Sequence, residues 1–299
     1  MLGRFCPGAV MLQVLEIVFP IFAIVLLGYL YARRHGPDMA SANRLNLEIF
    51  TPALIFSVLS GEGFELQRYA DLALAAVIVV LGSGLLAWPV GRLLGYPGRV
   101  LLPPMMFNNS GNMGLPLALF AFGEAALPAA MILFLVENTL HFTVGNAMLT
   151  GHLNPLRLLR MPMLLATLAG LLVAVLSLPV PGPLREAIDL LGQIAIPLML
   201  FALGVRMTGV DLADWRIGLV GALLCPASGL AMAWVALTLL SLPDLQAAQL
   251  VLFAALPPAV LNFMLAERYG VQPRQVAAIV LLGNLASLLI IPAVLVLLL

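Results

Sequence analysis

Two short runs and one acidic cluster hold most of the residues able to do chemistry. Residues 101–123 read LLPPMMFNNSGNMGLPLALFAFG, with Asn108, Asn109, Ser110, Asn112 and Met113 set between Pro104 and Pro116. Residues 250–270 read LVLFAALPPAVLNFMLAERYG, with Pro257 and Pro258 near the middle and Asn262 one turn later. Gly and Pro interrupt a helix, and each interruption starts a half-helix whose first N–H groups are unpaired and whose dipole end is positive. Two such ends beside neutral amide donors favour an anionic group such as a carboxylate. Substrate contacts are therefore expected from Asn109, Ser110, Asn112, Pro257, Pro258 and Asn262, with Met113 against the apolar part of the ligand. The third feature is Glu137 in FLVENTLHFTVGN, where Asn138 adjoins it and His141 shares its helical face. An ionised carboxylate in hydrocarbon costs about 2.5–3.5 kcal/mol even on lenient scales, so Glu137 has to be paired, neutral or wet. This group suits either a bound coupling cation or a relayed proton.

These residues belong to a chain of 299 residues that is 63% apolar before its 26 glycines are counted, and only 9% charged. Soluble domains carry about 25% charged residues, and apolar surface left in water costs roughly 25 cal/mol per Å². The solvent is expected to be lipid. Net charge is zero and the 14 basic residues, all Arg, are dispersed, which leaves no basic face for nucleic acid. Cys6 and Cys225 have no CxxC spacing and read as free thiols, and no metal-ligand set or cofactor motif is present. Gly82-Ser83-Gly84 and Ser228-Gly229 suggest a serine nucleophile only weakly, because small residues on one helix face usually serve close packing. No enzyme is expected, and transport without a nucleotide site is gradient-driven or passive.

About 20 apolar residues cross a bilayer core. Charged or Pro/Gly-rich joints divide the chain into ten helices near 11–32, 43–60, 70–94, 99–122, 125–149, 161–178, 187–206, 215–241, 247–267 and 274–298. Residues 1–10 read as an N-terminal extension, 11–150 as one five-helix unit, 151–160 as a cytoplasmic linker and 161–299 as a second unit. All of the 14 arginines except Arg4, Arg68 and Arg185 fall in loops that follow odd-numbered helices. Positive residues in short loops stay cytoplasmic, which places both termini outside.

The two units share features at a nearly constant offset. Ala87-Trp88 and Ala233-Trp234 lie 146 residues apart, as do Asn138 and Asn284, and Phe122-Gly123 precedes Tyr269-Gly270 by 147. Glu48 and Gln193, 145 apart, each precede a proline, Pro52 or Pro197, by four residues and are candidates for the substrate path. Five helices per unit is an odd number, so the second copy enters the membrane inverted. The expected fold is therefore an all-α integral membrane protein of two inverted five-helix repeats, with broken helices 4 and 9 crossing at the midplane and Asn284 adding to the coupling site.

VFPIFAIVLLGYL, LNLEIFTPALIFSVLS, NNSGNMGLPLALFAFG, IPLMLFALGV and LPPAVLNFMLAERYG together make the chain resemble the auxin efflux carrier family, which includes bacterial carboxylate permeases. The resemblance implies the sodium/bile-acid symporter-like fold, with helices 1, 2, 6 and 7 as scaffold and helices 3–5 and 8–10 as the moving transport domain. It also implies small organic anions bound at the crossover, pairing of two copies through their scaffolds, and a place in the bacterial inner membrane. The expected function is secondary transport or facilitated passage of mono- or dicarboxylates by elevator-type movement, coupled to H+, coupled to Na+ or uncoupled. A cation/proton antiporter and an intramembrane hydrolase are the alternatives.

Overall fold

The computed structural model describes residues 7–61, 64–152, 161–208 and 213–299. Cys6 and most of the expected linker at 151–160 lie outside the described residues. Helices account for nearly everything described, and the single strand-like feature is an isolated antiparallel bridge between Asn108 and Pro258.

Helical segments occupy all ten of the expected stretches. We name them α1 (Pro7–His35), α2 (40–59), α3 (Leu66–Leu93), α4a (Gly98–Met106), α4b (Ser110–Phe122) and α5 (Glu124–Thr150). The remainder are α6 (Pro162–Val175), α7 (Gly182–Arg206), α8 (Trp215–Leu239), α9a (Asp244–Ala254), α9b (Val260–Tyr269) and α10 (Pro273–Leu298). Among the described residues, α1, α3, α5, α7, α8 and α10 are long and apolar enough to cross a membrane by length and composition. The 14 residues of α6 rise about 21 Å and stop at Val175, two residues before Ser177 takes a positive φ of 49°. Helix α1 starts at Pro7, so the last residues of the expected N-terminal extension are helical.

Both expected interruptions are present, for different local reasons. In α4 the chain leaves the helix after Pro103 and Pro104. Phe107 is extended (φ −109°, ψ 100°), and a wide π turn over Ser110–Gly114 restarts the helix. In α9 two consecutive prolines, Pro257 and Pro258, supply no backbone N–H, and Ala259 is extended before α9b begins. Gly123 after α4b and Gly270 after α9b both have positive φ, 79° and 67°, but only Gly270 (ψ 28°) takes the left-handed helical cap, Gly123 having ψ −178°. Further π turns occur at Asn46–Phe50 in α2 and His141–Gly145 in α5.

Two sets of helices pack mainly among themselves, with α1 also touching α4b and α10, α7 touching α4b, and α2 touching α5. α1 lies along α7, and α2 fits between α6 and α7; α8 packs on α3, α10 and α4a, and α5 on α3 and α4b. Closeness of α1 to α7 depends on Gly204, where a methyl group would overlap the Val25 carbonyl. The outer face of α1 presents Leu12, Phe19, Leu26 and Leu27, all more than half exposed, a surface suited to lipid and costly in water.

Candidate binding site at the α4–α9 crossing

The interrupted segments of α4 and α9 meet and pair. Asn109 N–H donates to the Pro257 carbonyl at 2.7 Å, and Ala259 N–H donates to the Phe107 carbonyl at 3.0 Å. This pairing satisfies backbone groups that a broken helix would otherwise leave bare in an apolar interior, where each costs several kcal/mol. Side-chain amides complete it. Asn108 Nδ2 donates to the Phe253 carbonyl at the end of α9a (2.7 Å), and Asn262 Nδ2 donates to the Phe107 carbonyl just past α4a (2.8 Å). Asn284 on α10 donates to the Pro258 carbonyl (3.1 Å) and accepts from Asn109 Nδ2 (3.2 Å).

Three donors remain free for a ligand at the start of α4b. The first turn-closing bonds there run from Met113 N–H and Gly114 N–H to the Asn109 carbonyl. The N–H groups of Ser110, Gly111 and Asn112 precede them, at the positive end of the half-helix.

Beside this end lies the acidic cluster. Glu137, His141 and Ser110 are buried, and Ser110 Oγ donates to Glu137 Oε2 at 2.8 Å while Asn138 Nδ2 donates to the same oxygen at 3.1 Å. The other oxygen, Oε1, lies 3.4 Å from His141 Nδ1, within ion-pair range but without the angles of a hydrogen bond. His141 stacks on Phe107 with centroids 4.2 Å apart and planes 8° from parallel. Gly145 makes room for that stack, since a Cβ there would stand 2.7 Å from the Phe107 ring.

These groups open onto one cavity of about 130 Å³, room for several waters or a small organic ion. Asn109, Ser110 and Asn112 line it from α4b, Glu137, Asn138 and His141 from α5, and Val260, Leu261 and Met264 from α9b. The rest of the lining comes from Asn43, Asn46 and Thr51 of α2, Met163 of α6, and Met199, Ala202 and Arg206 of α7. The cavity is mixed in character, with amides, one carboxylate and one guanidinium among thioether and aromatic walls.

The family follows from comparison. A family model described as membrane transport protein matches residues 13–153 and 147–295. The chain belongs to that family. This agrees with the resemblance to auxin efflux carriers and makes the chain an integral membrane protein of the transport class. A relative from Rhizobium meliloti (strain 1021), named "Putative malonate transporter", is 32% identical to it over 93% of each chain.

Within this family member, the residues expected at the site divide into two groups. Asn109, Ser110, Asn112, Glu137, Asn138 and His141 line the cavity. Pro257, Pro258 and Asn262 build the crossing without lining that cavity; Asn284 joins the crossing through Asn109 and borders a neighbouring cavity of about 50 Å³ that shares Arg206 and Val260 with the first. Met113 is buried elsewhere in the core. Glu48 and Gln193 are exposed and outside the cavity lining. The π turn in α2 explains Glu48: Asn46 and Thr51, five residues apart, share the cavity face instead. Arg206 is the charged lining residue that sequence reasoning assigned to a loop. The serines suspected as nucleophiles bond carbonyls of their own helices, Ser83 that of Val79 and Ser228 that of Cys225.

Proposed function

We propose that the protein is a secondary transporter, or facilitator, of small carboxylates, holding its substrate in the cavity beside the α4–α9 crossing. The observation that carries this reading is the free α4b N-terminus and its amides opening onto a cavity walled by both helix sets. Uncharged N–H donors and a positive dipole end bind carboxylate oxygens without a permanent charge of their own. The malonate in the relative's name fits a carboxylate of this size. A carrier of inorganic cations is the weaker alternative, because Arg206 on the cavity wall repels a cation.

In this reading α1, α2, α6 and α7 form a scaffold, and α3–α5 with α8–α10 form the domain that moves past it, the two halves being inverted copies. The interface between the sets runs through the cavity, so displacement of one set against the other relocates the substrate. Glu137 is the group we assign to coupling, as a proton carrier or with Asn138 and His141 as a cation site.

The protein sits in the bacterial inner membrane with both termini outside. Four arginine–aromatic contacts support that orientation: Arg33 on Tyr29, Arg92 on Trp88, Arg216 on Trp215 and Arg268 on Tyr269. All four stand at helix ends next to the arginine-rich loops, as interface anchors do. Asn43 and Arg206 bring the cavity toward this same side, so the conformation faces the cytoplasm.

The test is uptake of labelled mono- and dicarboxylates, malonate included, into proteoliposomes under imposed proton or sodium gradients. Saturable uptake of at least one carboxylate is expected. No uptake of any carboxylate, together with dye-detected cation–proton exchange, overturns the reading.

A further inference from the structure

We propose that Arg206 counts the substrate's charges, selecting dicarboxylates over monocarboxylates by pairing with the carboxylate that the α4b N-terminus does not hold. The inference rests on the carboxylate-carrier reading and goes beyond it by assigning the second pole of the site.

Arg206 is the last residue of α7 and lines the cavity together with Asn109, Ser110 and Asn112 at the start of α4b, as well as the smaller cavity that Asn284 borders. Among the described residues the ion pairs are Arg68 with Glu65 and His141 with Glu137; Arg206 belongs to neither. Its guanidinium contacts Met264, Nη1 donating to Sδ at 3.2 Å. A guanidinium presents five N–H donors in a planar fork, and a thioether is a weak acceptor for one of them. A partly buried cation held this way retains most of its capacity to bind an anion.

The other charged groups on the cavity wall do not supply that anion. Glu137 already accepts from Ser110 and Asn138 on one oxygen and faces His141 with the other. The wall thus carries two separate positive poles, a dipole end with three free N–H groups on α4b and a full charge on α7. A monocarboxylate engages one pole and leaves the other with water. A short dicarboxylate engages both, and planar bidentate pairing is the mode a guanidinium fork favours.

The two poles stand on different helices that meet at the cavity: α4b packs on α5 and α9a and also touches α1 and α7, while α7 packs chiefly on α1 and α2. A bound dicarboxylate therefore bridges the two helices, and its second carboxylate reports on their relative position.

The experiment compares malonate with monomethyl malonate, which has similar size and one charge fewer, by binding to the purified full-length protein in detergent. The wild type is expected to prefer malonate by about tenfold or more, the scale of one charge-assisted hydrogen-bonded pair. Arg206→Gln is expected to weaken malonate by about that factor while leaving the hemiester nearly unchanged, so that the preference disappears. Arg206→Lys keeps the charge and is expected to keep most of the preference. The proposal is overturned if Arg206→Gln retains the preference, if both ligands weaken in parallel, or if a monodisperse Arg206→Lys loses it. If the wild type binds both ligands equally, charge counting fails while the carboxylate reading stands. If it binds neither these nor any other carboxylate, the underlying reading fails first.

Discussion

Asn108 and Asn262 perform reciprocal tasks: each donates its side-chain amide to a carbonyl at the end of the other broken helix, Asn108 to Phe253 and Asn262 to Phe107. The exchange explains how two interrupted helices persist in an apolar interior. Each break is mended by the other, so neither is stable in this form alone.

Removing one of these amides is expected to loosen the crossing. Asn108→Ala and Asn262→Ala should each cost about 1 kcal/mol or more, as net side-chain hydrogen bonds do in buried settings. The thermal unfolding midpoint in detergent checks this, with an alanine at exposed Gln193 as a control that should stay near wild type.

Asn112 lies at the cavity edge of α4b and makes no structural bond that holds the crossing together. Asn112→Ala is expected to weaken carboxylate binding by roughly tenfold while the protein remains folded and monodisperse. Titration calorimetry beside size-exclusion chromatography separates these effects. Unchanged affinity in a folded variant removes Asn112 from the site.

Glu137→Gln keeps the shape and can still accept from Ser110, but it cannot give up a proton. With proton coupling through this residue, uptake should lose its dependence on an imposed pH gradient while substrate exchange at equal pH continues. Persistent gradient dependence would retire Glu137 from that role.

Gly145→Ala tests the ring stack. Its methyl group would press on Phe107 and His141, both buried, and overpacking of that kind costs about 1–3 kcal/mol. A lower unfolding midpoint is expected, and slower transport should accompany it if His141 has to keep its place beside Glu137.

Much of this arrangement was legible in the amino-acid order, because its chemistry is local. Asn, Ser and Gly packed between prolines do not suit a lipid-facing helix, and Pro257-Pro258 cannot continue one, so both breaks announce themselves. Glu137 and His141 declare their pairing through a spacing of four. What escaped depends on distance in sequence or on a change of period. Arg206 reads as one more loop arginine until α7 ends beside Met264, 58 residues on. Glu48 reads as a path residue until a π turn rotates it outward and turns Asn46 and Thr51 inward. The stack of Phe107 on His141 joins a break to a helix through rings whose spacing carries no signal.

The backbone pairing between residues 107–109 and 257–259 has one more effect. It sets main chain bonded to main chain beside the cavity, which Asn108, Asn109 and Ala259 of the pairing line, so the crossing stands as a bulkhead and not a throat. A straight conduit would require both backbone bonds and both amide caps to open together. On the proposed carrier reading, such a barrier predicts flux that levels off as solute rises and little leak in its absence.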